Sequence, residues 1–365
     1  MASRQKNIAR RIWCFGQDLL ARTAATPASK TMPRVYYGGA RRGYAGGPQV
    51  KVGMLQKAFP EKKFGFNLVY LLSGALYLSK KSLDHLNKAN IPIVLNQNGV
   101  FFPAWYPKGY EKQNARLAEA MASAKHVFYQ SEFCKRTADL FLGVKPDSYE
   151  ILYNAVDTRE FSPSLRPAAR KGKQIRLLLT GKIVPSTAHR LLSTILGLEA
   201  ARKGGIDAVL NIYGMIDDDV RAKAEALAEK LNLHDSVYFR NPYARKKAPD
   251  IYRRADVYVM NKHNDSCPNT VLEAMACGLP ILYSASGGTP ELVGADCGVG
   301  LTVPESFDEE MTPSAVQFAE GLEKILLNRE TLSQNARKRA CTMFDLDSWI
   351  ERHRVVFLNL LRDKT

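Results

Sequence analysis

Asn264-Asp265-Ser266-Cys267-Pro268-Asn269-Thr270-Val271-Leu272-Glu273-Ala274-Met275-Ala276-Cys277-Gly278-Leu279-Pro280 is the stretch that decides how the rest of the chain is read. The apolar run before it, Val257-Tyr258-Val259-Met260, predicts a buried strand, and Thr270 to Cys277 holds helix formers closed by Gly278. Ile281-Leu282-Tyr283 predicts the next strand, so the segment is a strand-helix-strand crossover in a parallel sheet. The loop between strand and helix then lies at the carboxyl edge of the sheet, where such sheets bind ligands. Asp265 falls on that loop and Glu273 on the helix that follows.

A carboxylate at this edge can accept hydrogen bonds from neighbouring hydroxyls of a sugar or ribose, while the N–H groups of Ser266 to Thr270 can meet phosphate oxygens. Taken as an isolated pair, Glu273 reads first as a solvated helix residue and Asp265 as a turn residue. Together with Ser286-Gly287-Gly288-Thr289-Pro290-Glu291, however, the segment resembles the signature of retaining glycosyltransferase family 4, the glycosyl transferases group 1. In that signature two glutamates separated by seven residues precede an alanine-rich helix, a Gly-Xaa-Pro turn and a Gly-Gly-Xaa-Pro-Glu loop. Asp265 departs from it by standing where the family has glutamate, which keeps the charge and shortens the reach.

The resemblance implies an α/β chain of GT-B fold, with two doubly wound Rossmann-like domains facing across a cleft and a sugar moved from a nucleotide donor. It implies that Glu273 holds the ribose hydroxyls and Asp265 the donor sugar, with Ser266, Cys267, Pro268, Asn269 and Thr270 shaping the loop between them. Glu291 reads as readily as a favourable first-turn residue.

Outward from this segment, strand and helix alternate along most of the 365 residues, a length that accommodates two domains each with its own core. The boundaries read as an N-terminal extension over 1–30, a first domain over 31–165, a second over 166–345, and a final helix over 346–365. That this helix crosses back to the first domain is implied by the resemblance. Residues 162–173, rich in Pro, Lys and Arg, read as the linker.

Arg34-Val35-Tyr36-Tyr37 predicts the first strand and leads through a glycine-rich turn to a helix near Val50. Such a turn lets backbone approach a diphosphate, and it is also what a plain loop looks like. It resembles the family's Gly-Gly-Xaa-Gln turn, with Gly47 and Gln49 in register. Ile151-Leu152-Tyr153-Asn154-Ala155-Val156-Asp157 resembles the motif that closes the first domain.

The second domain opens on Arg176 to Lys182, a strand that delivers a cation at its carboxyl edge. Gly181-Lys182 matches the family's Gly-Arg turn with lysine for arginine, so a bidentate clamp becomes a point charge. The family's next lysine is Thr187 here; Arg190, one helical turn on, either replaces it or is a solvated helix residue. Asn98 stands where family members carry a histidine against the transferred sugar. It can donate a hydrogen bond but cannot act as acid or base, consistent with the retaining mechanism that the resemblance implies, in which the leaving phosphate takes the acceptor's proton; the neighbouring Asn96 and Gln97 read equally as ordinary polar residues at a strand end.

Asp217-Asp218-Asp219 and Asp345-Leu346-Asp347 look like metal-binding Asp-Xaa-Asp motifs, but each precedes a helix whose dipole favours acidic residues, and no metal or cofactor is expected. The donor, a UDP- or GDP-sugar, is substrate. The six cysteines form no Cys-Xaa-Xaa-Cys pair and read as reduced thiols of a cytoplasmic protein.

Charge is uneven: residues 1–165 carry 24 Lys/Arg against 11 Asp/Glu, and the remainder 28 against 25. Residues 1–63 hold 13 basic to 2 acidic, a bias toward anionic lipid, acidic glycan or nucleic acid. Nucleic acid is disfavoured because no platform of interleaved aromatic and basic residues accompanies the charge. Ile8, Ile12, Phe15 and Leu19 follow helical spacing in a basic segment, which reads as a helix packed on its own domain, as one lying peripherally on an anionic membrane, or, third, as a mitochondrial transit peptide.

The leading expectation is therefore a retaining, metal-independent glycosyltransferase acting on a glycan or lipid-linked acceptor, in polysaccharide or cell-envelope glycan synthesis. A phosphorylase or epimerase of the same fold, or a degenerate binding protein, are the alternatives.

Overall fold

The computed structural model describes residues 2–26, 32–43, 47–164 and 174–362, with side chains from residue 8 onward. The chain divides into two compact units: Met1–Phe102, Lys108–Tyr153 and Asp347–Thr365 in the first, and Pro103–Pro107 with Asn154–Leu346 in the second.

The first unit runs α1 (Ala2–Thr23), β1 (Val35–Tyr36), α2 (Gly47–Ala58), β2 (Leu68–Leu72), α3 (Lys80–Lys88), β3 (Ile93–Gln97), α4 (Tyr110–Ser123), β4 (His126–Tyr129), α5 (Glu132–Leu142) and β5 (Tyr149–Ile151). Among the described residues these strands form one parallel sheet in chain order, β1-β2-β3-β4-β5. Every residue of β2, β3 and β4 is buried, as in a sheet covered on both faces.

The second unit runs β6 (Ile175–Thr180), α6 (His189–Lys203), β7 (Ala208–Tyr213), α7 (Asp218–Lys230), β8 (Val237–Arg240), α8 (Ala248–Arg253), β9 (Val257–Met260), α9 (Asn269–Ala276), β10 (Ile281–Ser284), α10 (Thr289–Val293), β11 (Gly298–Leu301), α11 (Ala315–Leu327) and α12 (Arg329–Met343). The last helix, α13 (Leu346–Arg362), groups from Asp347 onward with the first unit. There His353 meets Tyr70 of β2, and its ring lies 4.5 Å from that of Phe128 in β4.

The second sheet is also parallel, but its order is β11-β10-β9-β6-β7-β8. The chain moves outward from β6 through β7 and β8, then returns to the other side of β6 with β9. Its core is apolar and mostly aliphatic, with Leu177, Leu179, Leu210 and Ile212 of the sheet against Ile195, Leu198, Phe318 and Leu322 of the helices. Between β6 and β9 the order reverses, and successive crossovers leave in opposite directions, so the loops part above the carboxyl ends of these two strands. This opening is where the site is built.

Two details differ from the sequence reading. Asn154 to Pro163 groups with the second unit, so the change of unit comes earlier in the chain than residue 165; most of the Pro-, Lys- and Arg-rich stretch lies outside the described residues. Gly298-Val299-Gly300-Leu301 forms an edge strand where two glycines masked the apolar pattern. No described helix is long and apolar enough to cross a membrane.

Candidate active site

Glu273 lies in the middle of α9 and is buried, so the solvated-residue alternative fails. Its Oε2 accepts a hydrogen bond from Tyr252 Oη at 2.9 Å, and its Oε1 lies 3.3 Å from a guanidinium nitrogen of Arg245. Burial pushes the Glu273 carboxyl above the usual carboxylate range, while Arg245 and the Tyr252 hydroxyl pull it back down. Two acceptor oxygens with about four lone-pair sites leave acceptor capacity for a diol beyond these two partners.

The carboxylate is wired to the end of β6. Tyr252 Oη is 3.2 Å from Thr180 Oγ1, which also meets Tyr258 Oη at 3.1 Å. Thr180 closes β6, and its carbonyl accepts a hydrogen bond of 3.0 Å from the Arg190 guanidinium. Arg190 is buried on the first turn of α6 and has no carboxylate partner among the described residues; its Nε is also without an acceptor. A buried guanidinium held only by a carbonyl is costly unless an anion completes it. Arg190 is thus not a solvated helix residue. Lys182, on the same loop after Gly181 (φ +121°), is exposed and has no ion-pair partner among the described residues.

Asp265 occupies the loop after β9, next to β6 in the sheet. One of its carboxylate oxygens takes Lys262 Nζ at 2.6 Å and the other accepts from Cys267 N at 3.2 Å, a local turn that fixes the acid's direction. The Gly287-Gly288 pair fixes its backbone. Gly287 has φ +66°, and a Cβ there would sit 2.5 Å from the Asp265 carbonyl oxygen, while Gly288 N donates to that oxygen at 2.8 Å. Behind the loop, Asn154 Nδ2 donates to the Cys267 carbonyl at 2.8 Å. The motif read as closing the first domain therefore supports the site in the second.

Pro268 caps α9 without a side-chain acceptor, so the first-turn N–H groups of Asn269 and Thr270 point out of the helix. At the first residue of α6, His189 Nδ1 is 2.7 Å from Glu310 Oε2, and burial with nearby His189 pushes His263 below the ordinary imidazole range.

The structure thus brings Gly181, Lys182, Arg190, Asp265, Ser266, Cys267, Pro268, Asn269, Thr270 and Glu273 to the carboxyl ends of two adjacent strands. Gly47, Gln49 and Asn98 belong to the first unit. There Gly74 stands between Pro48 and Asn98: a Cβ on it would lie 3.0 Å from Pro48 Cγ and 3.5 Å from Asn98 Nδ2. Asn98 N donates to Ser73 Oγ at 2.8 Å, and its buried Oδ1 has no partner among the described residues. Tyr44 to Gly46, the centre of the glycine-rich turn, lies outside the described residues.

Arg245, Tyr252 and Lys262 escaped sequence reasoning. Arg245 begins an Arg-Lys-Lys run that looks like solvated charge, and nothing local shows that its guanidinium reaches Glu273. The acidic triplet at 217–219 occupies the N-cap position and first turn of α7 with no capping bond from Asp217, and Asp345 accepts from Thr158 Oγ1 while Asp347 lies in the first turn of α13.

Residues 166–340 match the family Glycosyl transferases group 1. The chain is 29% identical over 209 residues to a D-inositol 3-phosphate glycosyltransferase of Saccharomonospora viridis, covering 53% of this chain and 46% of that protein. It is 31% identical over 172 residues to the enzyme of the same name from Mycobacteroides abscessus, covering 45% and 38%. The match therefore spans less than half the length of these curated relatives. Among solved structures, the sucrose-phosphate synthase of Thermosynechococcus elongatus superposes with a TM-score of 0.66 at 19% identity, over 87% of this chain and 78% of its own. Anabaena HepE in complex with UDP gives 0.64 at 18%, over 86% and 82%. WaaG, a glycosyltransferase involved in lipopolysaccharide biosynthesis, gives 0.61 at 18%, over 89% and 99%. The fold is that of the GT-B glycosyltransferases, two parallel-sheet α/β units, and the segment that matches group 1 contains Asp265 and Glu273 together with Lys182, Arg190, Arg245 and Lys262.

Proposed function

We propose that this chain is a retaining, metal-independent glycosyltransferase that moves a hexose from a UDP- or GDP-sugar to a glycan or lipid-linked acceptor, in the synthesis of a polysaccharide or cell-envelope glycan. The observation that carries the reading is the buried hydrogen-bonded path from Arg190 through Thr180 and Tyr252 to Glu273, with an unmatched cation at one end and a carboxylate at the other. A nucleoside diphosphate has the complementary ends: anionic phosphates and a ribose diol.

In this reading Arg190 and Lys182, with the N–H groups that open α9, stabilise the charge that grows on the diphosphate as the anomeric bond breaks. Glu273 accepts from the ribose hydroxyls, Asp265 from the donor sugar, and Asn98 donates a hydrogen bond without exchanging a proton. The departing phosphate oxygen takes the acceptor's proton, so no protein base is required. Support comes from the group 1 match and from the UDP held by Anabaena HepE.

The test is calorimetric titration with UDP, GDP, ADP and their sugar conjugates, run beside Glu273→Gln, which keeps the shape of the side chain. Selective binding of one nucleotide that is lost in a folded variant supports the reading. No binding by any of them up to about 1 mM, the upper end of ordinary KM values, would overturn it. Product formation that requires free phosphate would instead indicate phosphorolysis in the same pocket.

A further inference from the structure

Helix α1 is fixed to the first unit by one face and presents an apolar stripe on the other. Trp13 Nε1 donates to the Gly39 carbonyl at 3.2 Å, Gln17 Oε1 accepts from Tyr36 Oη at 2.8 Å, and Ala21 is fully buried. These three residues recur every four positions and define the inward face. Asp18 tightens the attachment by accepting from Ser79 N and Oγ, and the Arg41 guanidinium lies 3.8 Å from the centre of a Trp13 ring.

Ile8, Ile12, Phe15 and Leu19, the stripe expected to meet either the domain or a membrane, face away from these anchors and are 51%, 69%, 69% and 51% exposed. A docked helix ordinarily buries such a stripe; this one is docked by its other side. Exposed Arg11 and Arg22 lie one turn after Ile8 and Leu19, along the edge of the stripe. Just past the helix, Phe64 is 74% exposed beside exposed Lys62 and Lys63. This loop is tied to the helix end by Gly65 N to Ala24 O at 2.7 Å and Thr26 N to Phe66 O at 2.9 Å.

We propose that the outward face of α1 and the adjoining Phe64 loop dock the first unit on an anionic lipid bilayer. Aliphatic and aromatic side chains would enter the boundary of the acyl region while arginine and lysine heads pair with lipid phosphates at its surface. Charge selects this occupant: a second copy of the helix would bring basic residues against basic residues, and an uncharged surface would leave them unmatched. The inference stands apart from the sugar-transfer reading, because binding to lipid requires none of the residues of the second unit.

The experiment is co-sedimentation of the full chain with vesicles of phosphatidylcholine alone or mixed with phosphatidylglycerol, together with solution mass by light scattering. The wild-type protein should partition onto the anionic vesicles and far less onto the neutral ones. Ile12→Asp with Phe15→Asp should lower the partition coefficient by about 100-fold or more. Arg11→Gln with Arg22→Gln should lower it by roughly 25-fold, at about fivefold per charge. Unchanged melting temperatures would show that both variants fold. Failure of the wild type to bind anionic vesicles would overturn the proposal, as would equal binding by the aspartate variant or a dimer that the aspartates dissociate.

Discussion

The two sheets are alike in direction and burial, yet their carboxyl edges carry different chemistry. In the first unit the end of β3 is a row of amides, Asn96, Gln97 and Asn98, with Lys51 Nζ buried 2.6 Å from Asn96 Oδ1. In the second, the ends of β6 and β9 gather Arg190, Lys182 and Lys262 with Asp265 and Glu273. The first sheet follows chain order, whereas the second reverses at β6. A reversal opens a crevice in which charged side chains can converge on a ligand, and among the described residues the sequential sheet has no such reversal. The same repeated architecture therefore carries a site of paired acids and cations where the topology turns, and a row of amides around one buried lysine where it does not.

Acid should expose this contrast most strongly. His353 donates through Nδ1 to the Trp349 carbonyl at 2.8 Å and accepts from Tyr70 Oη at Nε2, 3.0 Å away, an arrangement that holds it neutral. Burial pushes its pKa down to about 3 and that of His126 down to about 4. An unfolded histidine takes its proton near pH 6.5, so below that pH the unfolded chain binds protons that the folded first unit refuses. The stabilisation is present in full above about pH 6.5 and falls by about 1.4 kcal/mol per pH unit for each histidine as acid is added. By pH 5 the two together remove about 4 kcal/mol. In the second unit His263 shifts the same way, while Glu61 of the first unit and Glu273 of the second, both raised by burial, shift oppositely and offset part of the loss in each. Urea unfolding at pH 7 and pH 5 should show this decline, with a shallower one in His353→Gln; identical slopes would show that His353 carries none of it.

Nucleotide affinity should separate the units in the reverse sense. Glu273→Gln removes a charged acceptor and should weaken nucleotide binding by about 1.5 to 3 kcal/mol, roughly 10- to 150-fold. Arg190→Met should cost about as much for a nucleoside diphosphate but almost nothing for the free nucleoside, which has no phosphate to lose. Equal weakening of UDP and uridine by Arg190→Met would mean that this cation supports the fold of the β6 loop and does not contact phosphate.

Much of this contrast was legible in the sequence. Val257–Met260 and Leu68–Leu72 appear as strands with the bounds their apolar runs imply, because a strand buried on both faces leaves an uninterrupted signal. Asp265 and Glu273 sit at the edge and on the helix where the crossover places them. What was hidden depends on distant parts of the chain meeting. Arg245 reaches Glu273 across 28 residues, and Tyr70 reaches His353 across 283. Lys51 lies on a helix whose local pattern does not distinguish a buried lysine from a solvated one. The direction of the α1 stripe was unreadable for a related reason: periodicity defines an apolar face, while the hydrogen bonds of Trp13, Gln17 and Asp18 determine which face turns inward.

The smallest effects should come from Lys182 and Asn98, and they sharpen the comparison because the two residues belong to different units. Lys182 is exposed, so a phosphate contact there is screened by water and salt, and Lys182→Met should weaken nucleotide binding by less than about fivefold. That modest loss should fade further at high ionic strength. Asn98 offers a neutral amide at the end of β3, held through its backbone by Ser73. If it meets the transferred sugar and not the nucleotide, Asn98→Ala should leave UDP or GDP affinity unchanged and lower kcat/KM for the nucleotide sugar by about tenfold or less, the value of one neutral hydrogen bond. An equal loss in nucleotide binding would place Asn98 in the nucleotide pocket and remove the division of labour between the two edges. Full activity would leave Asn98 as a polar end to its strand, its backbone bond to Ser73 serving the fold alone.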